Sequence, residues 1–146
     1  MSYPNEADFI IVKVGDGATP EVFTTICGIE SATINQTVNT TDRFRRDCAK
    51  PGEVPTRKVK VTGKQWDATG SGVVNVDEFD TFEAALGIRK NYKFEFGKRD
   101  GTDAGDIIGS YDGPAVMTAA NINMSAEEGT AEITLAGEDN IVWTAA

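Results

Sequence analysis

The 146-residue chain contains no histidine. Histidine performs most general acid-base chemistry near neutral pH and is the commonest zinc and haem ligand, so Ser-His-Asp triads and the metalloprotease helix motif are excluded. Cysteine is scarce: Cys27 and Cys48 are the only two, too far apart in sequence for a CxxC redox or zinc pair. The first eight residues are polar and acidic rather than signal-like, so a reducing cytoplasm is the expected compartment. There a buried spare thiol is commoner than a bridge, and neither cysteine is assigned a role. No apolar run approaches the eighteen or so residues that span a membrane, so no membrane partner is expected. Cations are missing from the last third, where Arg99 is the final one.

What is present has the composition of an ordinary globular chain, 40% hydrophobic and 25% charged with fifteen glycines. Its length suits one domain, 1–146, able to bury roughly 68 to 70% of its unfolded surface. The net charge of −9 disfavours a conventional nucleic-acid binder. Its distribution is uneven: residues 42–60 carry seven bases and three acids, whereas 100–146 carry nine acids and no base. A basic segment on one copy can therefore lie on the acidic surface of another, although a solvated loop among ordinary surface acids would give the same count.

Hydrophobic period predicts strands through most of the chain. Phe9 to Val14 is apolar on both faces, and after the turn at Gly15, Asp16 and Gly17 the run Val22 to Ile29 completes a hairpin. Ser31 to Val38 alternates, with Ala32, Ile34 and Val38 on one face and Thr33, Asn35 and Thr37 on the other. From Asn39 to Thr56 alternation stops, which predicts an eighteen-residue connecting arm holding Arg43, Phe44, Arg45, Arg46, Lys50 and Pro51. Loops this long are usually functional or disordered. Phe44 among arginines has interface composition, with a satellite core contact as the other reading.

Strand character returns at Lys58 to Gly63, with Val59 and Val61 predicted inward, and Gly70, Ser71 and Gly72 read as a flexible break. One helix is predicted over Asp77 to Leu86, with Asp77 as N-cap, Phe79, Phe82 and Leu86 on its core stripe, and Gly87 as its stop. Tyr92 to Phe96 alternates, a Gly and Asp loop spans Gly97 to Gly105, and Ile107 to Tyr111 is a further strand. A hairpin follows, with Val116, Thr118, Ala120, Ile122 and Met124 sharing one face and Ala131, Ile133 and Leu135 sharing a face of the return. Ile141 to Thr144 closes the chain. The fold class is mainly β: an antiparallel β-sandwich or partly closed β-barrel with one flanking α-helix at 77–86 and a long arm at 39–56.

Catalytic and ligand motifs do not emerge. Gly15, Gly17 and the Gly70 to Gly72 run lack the lysine and helix of a phosphate cradle. Asp100, Asp103 and Asp106 offer hard oxygens but match no EF-hand spacing, and a solvated acidic turn accounts for them. The expectation is a protein with no catalytic residue, cofactor or metal.

The stretch from Gly28 through Val38 into the arm, Val59 to Gly63, the helix and the closing hairpin, with Gly109, Ser110, Tyr111, Asp112 and Gly113 leading into Ala115 to Met124, resembles tail tube proteins. These are the major tail proteins of bacteriophages with long, non-contractile tails and of related gene transfer agents. The resemblance implies six-membered rings stacked into a tube that conducts DNA and, before it, a tape measure protein, neither specifically bound. Terminator and baseplate or distal tail proteins would be partners at the tube's ends. The location would be the virion tail, reached by way of the host cytoplasm.

Residue by residue, the arm would touch the neighbouring ring through Arg43, Phe44, Arg45, Arg46, Lys50, Pro51 and Arg57, while Asn35, Thr37, Asn121 and Asn123 would line the lumen. An acidic conduit repels the polyanion it carries, and the basic arm would offset repulsion between rings. Two other readings stand beside this one: a monomeric β-sandwich that binds carbohydrate or a host surface through the arm, and the tube or connector of a contractile injection machine.

Overall fold

Period-two alternation with β-branched and aromatic residues makes this chain a sheet protein. In the computed structural model, which describes residues 3–146, the strands are β1 (Phe9–Gly15), β2 (Phe23–Thr25), β3 (Ile29–Arg45), β4 (Thr56–Val73), β5 (Arg89–Lys98), β6 (Asp106–Met124), β7 (Gly129–Gly137) and β8 (Val142–Ala145). They form one eight-stranded antiparallel sheet in the order β2-β1-β5-β6-β7-β4-β3, with β8 added to β6. A single helix, α1 (Phe79–Ala85), follows a 3-10 turn at Val76–Glu78.

The nineteen-residue β6 joins the two layers. Its first half lies between β5 and β8, and its second half pairs with β7. The sheet curls until β1 and β3 pack against each other. No ladder joins them among the described residues, so the sheet folds over its core without closing into a barrel. Val12, Val14, Tyr92 and Phe94 meet Trp66, Ala68, Ile133 and Leu135 across that core, which Phe82 and Ala85 of α1 also enter. The Trp66 indole N–H donates to the Glu138 carbonyl at 3.1 Å, so the largest buried side chain leaves its donor satisfied.

Several predicted boundaries shift for identifiable reasons. Val22 to Ile29 is not one strand: Gly28, at φ 107°, turns the chain between β2 and β3. The Gly70 to Gly72 run is not a break but part of β4, because the backbones there approach too closely for a side chain; a Cβ on Gly72 would sit 1.8 Å from the Gly28 carbonyl oxygen. Ile107 to Tyr111 and Val116 to Met124 are one strand with a bulge at Met117/Ala119. Ala115 and Met117 enter the core before the bulge and Ala120 packs against it after, leaving Val116 off the face predicted for it.

Asp77 is not the N-cap: Asn75 caps the 3-10 turn, its side chain accepting from the Asp77 N–H at 3.2 Å, and α1 itself starts after Glu78 with no side-chain cap. Phe82 is buried and Phe79 packs against the core, but Leu86 stands 40% exposed just past the end of α1. Both thiols, expected to be buried, are exposed.

Tyr92 is fully buried and its hydroxyl has no partner. Burial pushes its pKa up from 10.0 to about 12, so the folded state holds the proton more tightly than the unfolded chain. That contribution is complete below pH 10 and is lost as pH rises toward 12. Tyr92→Phe is expected to hold or raise neutral-pH stability and to flatten the alkaline loss, as read from urea denaturation midpoints between pH 8 and 12.

Candidate functional site

Predicted as a loop throughout, the arm begins and ends in strand. β3 runs to Arg45 and β4 restarts at Thr56, paired residue by residue, so that only residues 46–55 form a loop. Alternation disappears there because β7 pairs with β4 only from Asp67 onward, which leaves the outer ribbon without a third strand or an opposing layer. With both faces wet, nothing selects an apolar side.

A bulge near the base of the ribbon sorts its side chains. Asn39 pairs with Gly63 and Thr40 with Val61, leaving Thr62 extra; its hydroxyl donates to the Asn39 carbonyl at 3.1 Å. The following pairs are Asp42 with Val59 and Phe44 with Arg57 on one face, and Thr41 with Lys60, Arg43 with Lys58 and Arg45 with Thr56 on the other. Without the extra residue Arg43 would oppose Val59 and Phe44 would oppose Lys58, mixing the faces. The bulge therefore yields one face with four cations and no acid, and a second with Phe44, Val59 and Val61.

Phe44, Val59 and Val61 are 71%, 51% and 56% exposed. Val59 and Val61, predicted inward, thus belong to no core. A turn centred near Pro51 and Gly52, with cations and apolar residues spaced evenly on either side of it, was the available signal for this pairing. Asp42 holds Arg57 at 3.8 Å in an exposed pair worth little. Among the described residues Arg43, Arg45, Arg46, Lys50, Lys58 and Lys60 enter no salt bridge. Arg46, Lys50 and Pro51 are exposed in the loop, which Asp47 braces by accepting from the Ala49 N–H at 2.9 Å.

The second candidate surface is the outer face of β3, β4, β7 and β6. Asn35 pairs with Asp67, Thr37 with Gln65, Asn121 with Glu132 and Asn123 with Thr130. Thr69, Ser71 and Thr134 lie among them through the pairs Thr69 with Thr134 and Ser71 with Glu132. The four residues singled out from sequence therefore share one exposed face. It is carpeted with hydroxyls and amides, carries the acids Asp67 and Glu132, and has no base. Along β3 the cationic face of the arm continues this same side, so the bases begin only where the body of the sheet ends.

Other features read as structure. Asp16 accepts from the Ala18 and Val22 N–H groups and Asp100 from the Thr102 hydroxyl and N–H, which holds both carboxyls below their ordinary range and marks them as turn braces. Among the described residues no group of three or more acidic or thiol side chains is placed to hold a metal ion.

No family model matches the chain, and no curated protein matches it. Solved structures do. A chain from the tail of an empty gene transfer agent particle, refined with C6 symmetry, is 17% identical and superposes with a TM-score of 0.60 over 92% of this chain and 95% of that one. The sheath–tube complex of the extracellular contractile injection system PVC in its extended state gives 18% identity and a TM-score of 0.68 over 100% and 95%. The SPP1 tail tube gives 10% and 0.62 over 98% and 80%.

The chain has the tail tube fold. Likeness at these identities carries the fold and leaves side chains free to differ.

Since Val59 and Val61 contribute to no core, Val59→Ser with Val61→Ser is expected to leave the stability of the isolated protomer within about 0.5 kcal/mol of the parent. Ile133→Ala is expected to lower it by roughly 2–5 kcal/mol. Urea denaturation of dilute protein measures both.

Proposed function

We propose that this protein is the repeating subunit of a tail tube, assembling as sixfold rings that stack into a conduit for DNA. The observation that carries the reading is the segregation of charge: an unpaired cationic ribbon projects from a body whose broad polar face has acids and no base. The tail tube fold, and the C6 symmetry of the gene transfer agent tail that shares it, support the ring. A monomeric carbohydrate or surface binder would need no such separation, and the structural neighbours favour the tube.

In this assembly the base-free face lines the lumen. Hydroxyls and amides with a few acids offer a polynucleotide no cation to condense on, so passage releases no counterions and the wall does not trap its cargo. The ribbon reaches the next ring, where its four-cation face meets the acids of another copy and offsets repulsion among subunits that each carry −9. No catalytic residue or cofactor enters this function. Partners at the tube ends are terminator and baseplate proteins, and a tape measure protein occupies the lumen before DNA does. The likeness to the PVC sheath–tube complex also supports a tube of this kind inside a contractile sheath.

Reversing Arg43, Arg45 and Arg46 to glutamate is expected to leave a folded protomer by circular dichroism and to abolish tubes in negative-stain images; normal tubes from this variant would remove the arm's charge from the mechanism. Placing lysines at Asn35, Asn121 and Asn123 is expected to leave tubes intact while making them bind DNA, with an affinity that falls steeply with salt. Tubes of that variant that ignore DNA would show that this face does not line the bore.

A further inference from the structure

An aromatic surface of the body stands open among the described residues. Phe96, Ile108, Tyr111 and Trp143, with Asn5 and Ala7 at the rim, line an open cleft of about 310 Å³. The three rings hold one another: Tyr111 and Trp143 lie 5.0 Å apart between centroids, and Phe96 lies 6.1 Å and 6.0 Å from them. Gly109 on β6 admits the indole, since a Cβ there would fall 2.3 Å from the Trp143 ring. Trp143 nevertheless remains 46% exposed, whereas Trp66 is 2% exposed.

A small-molecule site converges several polar groups on its ligand, and this cleft has few. It suits a cluster of apolar side chains. The chain displays one on the bulge-sorted face of its ribbon, Phe44 with Val59 and Val61. β3 stays laddered to β4 out to Arg45, roughly 26 Å of strand beyond Thr37, so these side chains lie outside the protomer's own core and are open to another copy.

Charge beside the cleft is balanced, with Lys98 opposite Asp106 and Lys93 opposite Asp112 across β5 and β6. The face of the ribbon that bears Phe44 carries only Asp42 and Arg57 as charges, and these pair with each other, so apolar contact decides the match.

We propose that the aromatic cleft of Phe96, Tyr111 and Trp143 receives Phe44, Val59 and Val61 from the ribbon of a second copy of this chain. The inference rests on the tube reading and names the surface that accepts the arm. Phe44 is the anchor.

The test uses the two tryptophans. Trp66 is already buried, so a change of intrinsic emission on assembly reports Trp143. Full-length protein concentrated into tubes is expected to show a blue shift relative to dilute protomer. Phe44→Ala is expected to raise the concentration needed for assembly about tenfold or more and to reduce the shift in whatever assembles. Trp143→Leu is expected to weaken assembly comparably, with the double variant little worse than either single one.

Assembly with unmoved emission, a full shift retained in the Phe44 variant, or additive effects in the double variant would each overturn this contact and leave the tube reading standing. Absence of any assembly by the parent protein would overturn both.

Discussion

The shape of this molecule is set by a ribbon that outgrows its core. β3 and β4 enter the body as ordinary members of a sheet, covered on one side by the opposite layer. Past Asp67 the third strand stops and past Trp66 the core stops, yet the ladder continues to Arg45 and Thr56. A two-stranded ribbon without a packed face is marginal alone in water, and an exposed phenylalanine and two valines add nothing to the isolated protomer. Within the protomer such a projection is held only by its own ladder and by its root in the sheet.

The architecture of the body was largely legible in the sequence and the ribbon was not, for one physical reason. Alternation marks a strand only where one face is dry. Tyr92 and Phe94, or Ala131, Ile133 and Leu135, have an opposite layer to meet and announce themselves. Thr40 to Arg45 have none, so the same conformation leaves no trace in the pattern. Val59 and Val61 mislead for the converse reason: they alternate cleanly with lysines, but no layer of the protomer covers them. The bulges at Thr62 and Thr118 were invisible because a one-residue offset changes which face a side chain joins without changing composition. Asn35, Thr37, Asn121 and Asn123 could be read as polar from sequence, but only the register of four strands brings them onto one surface.

Charge is arranged with similar economy. The polar outer face tolerates Asp67 and Glu132 and carries no lysine or arginine, whereas the same side of β3, a few residues further out, carries almost nothing but cations. The cations thus sit on a projection, beyond the last residue of the third strand, and apart from the acids of the body. The bulge at Thr62 keeps Arg43, Arg45, Lys58 and Lys60 off the side that holds Phe44, Val59 and Val61, where the charges are the mutually paired Asp42 and Arg57.

The ribbon is also rooted mechanically. Its two strands are the same ones that run through the body beside β7, and β7 is laddered to β6, which spans both layers. Tension applied at the arginine-bearing end acts along the strands, at right angles to the hydrogen bonds between them, so those bonds are loaded together in shear instead of being unzipped one at a time. A load carried by the ribbon is therefore shared across the β3–β4 and β4–β7 ladders and reaches the body as a whole.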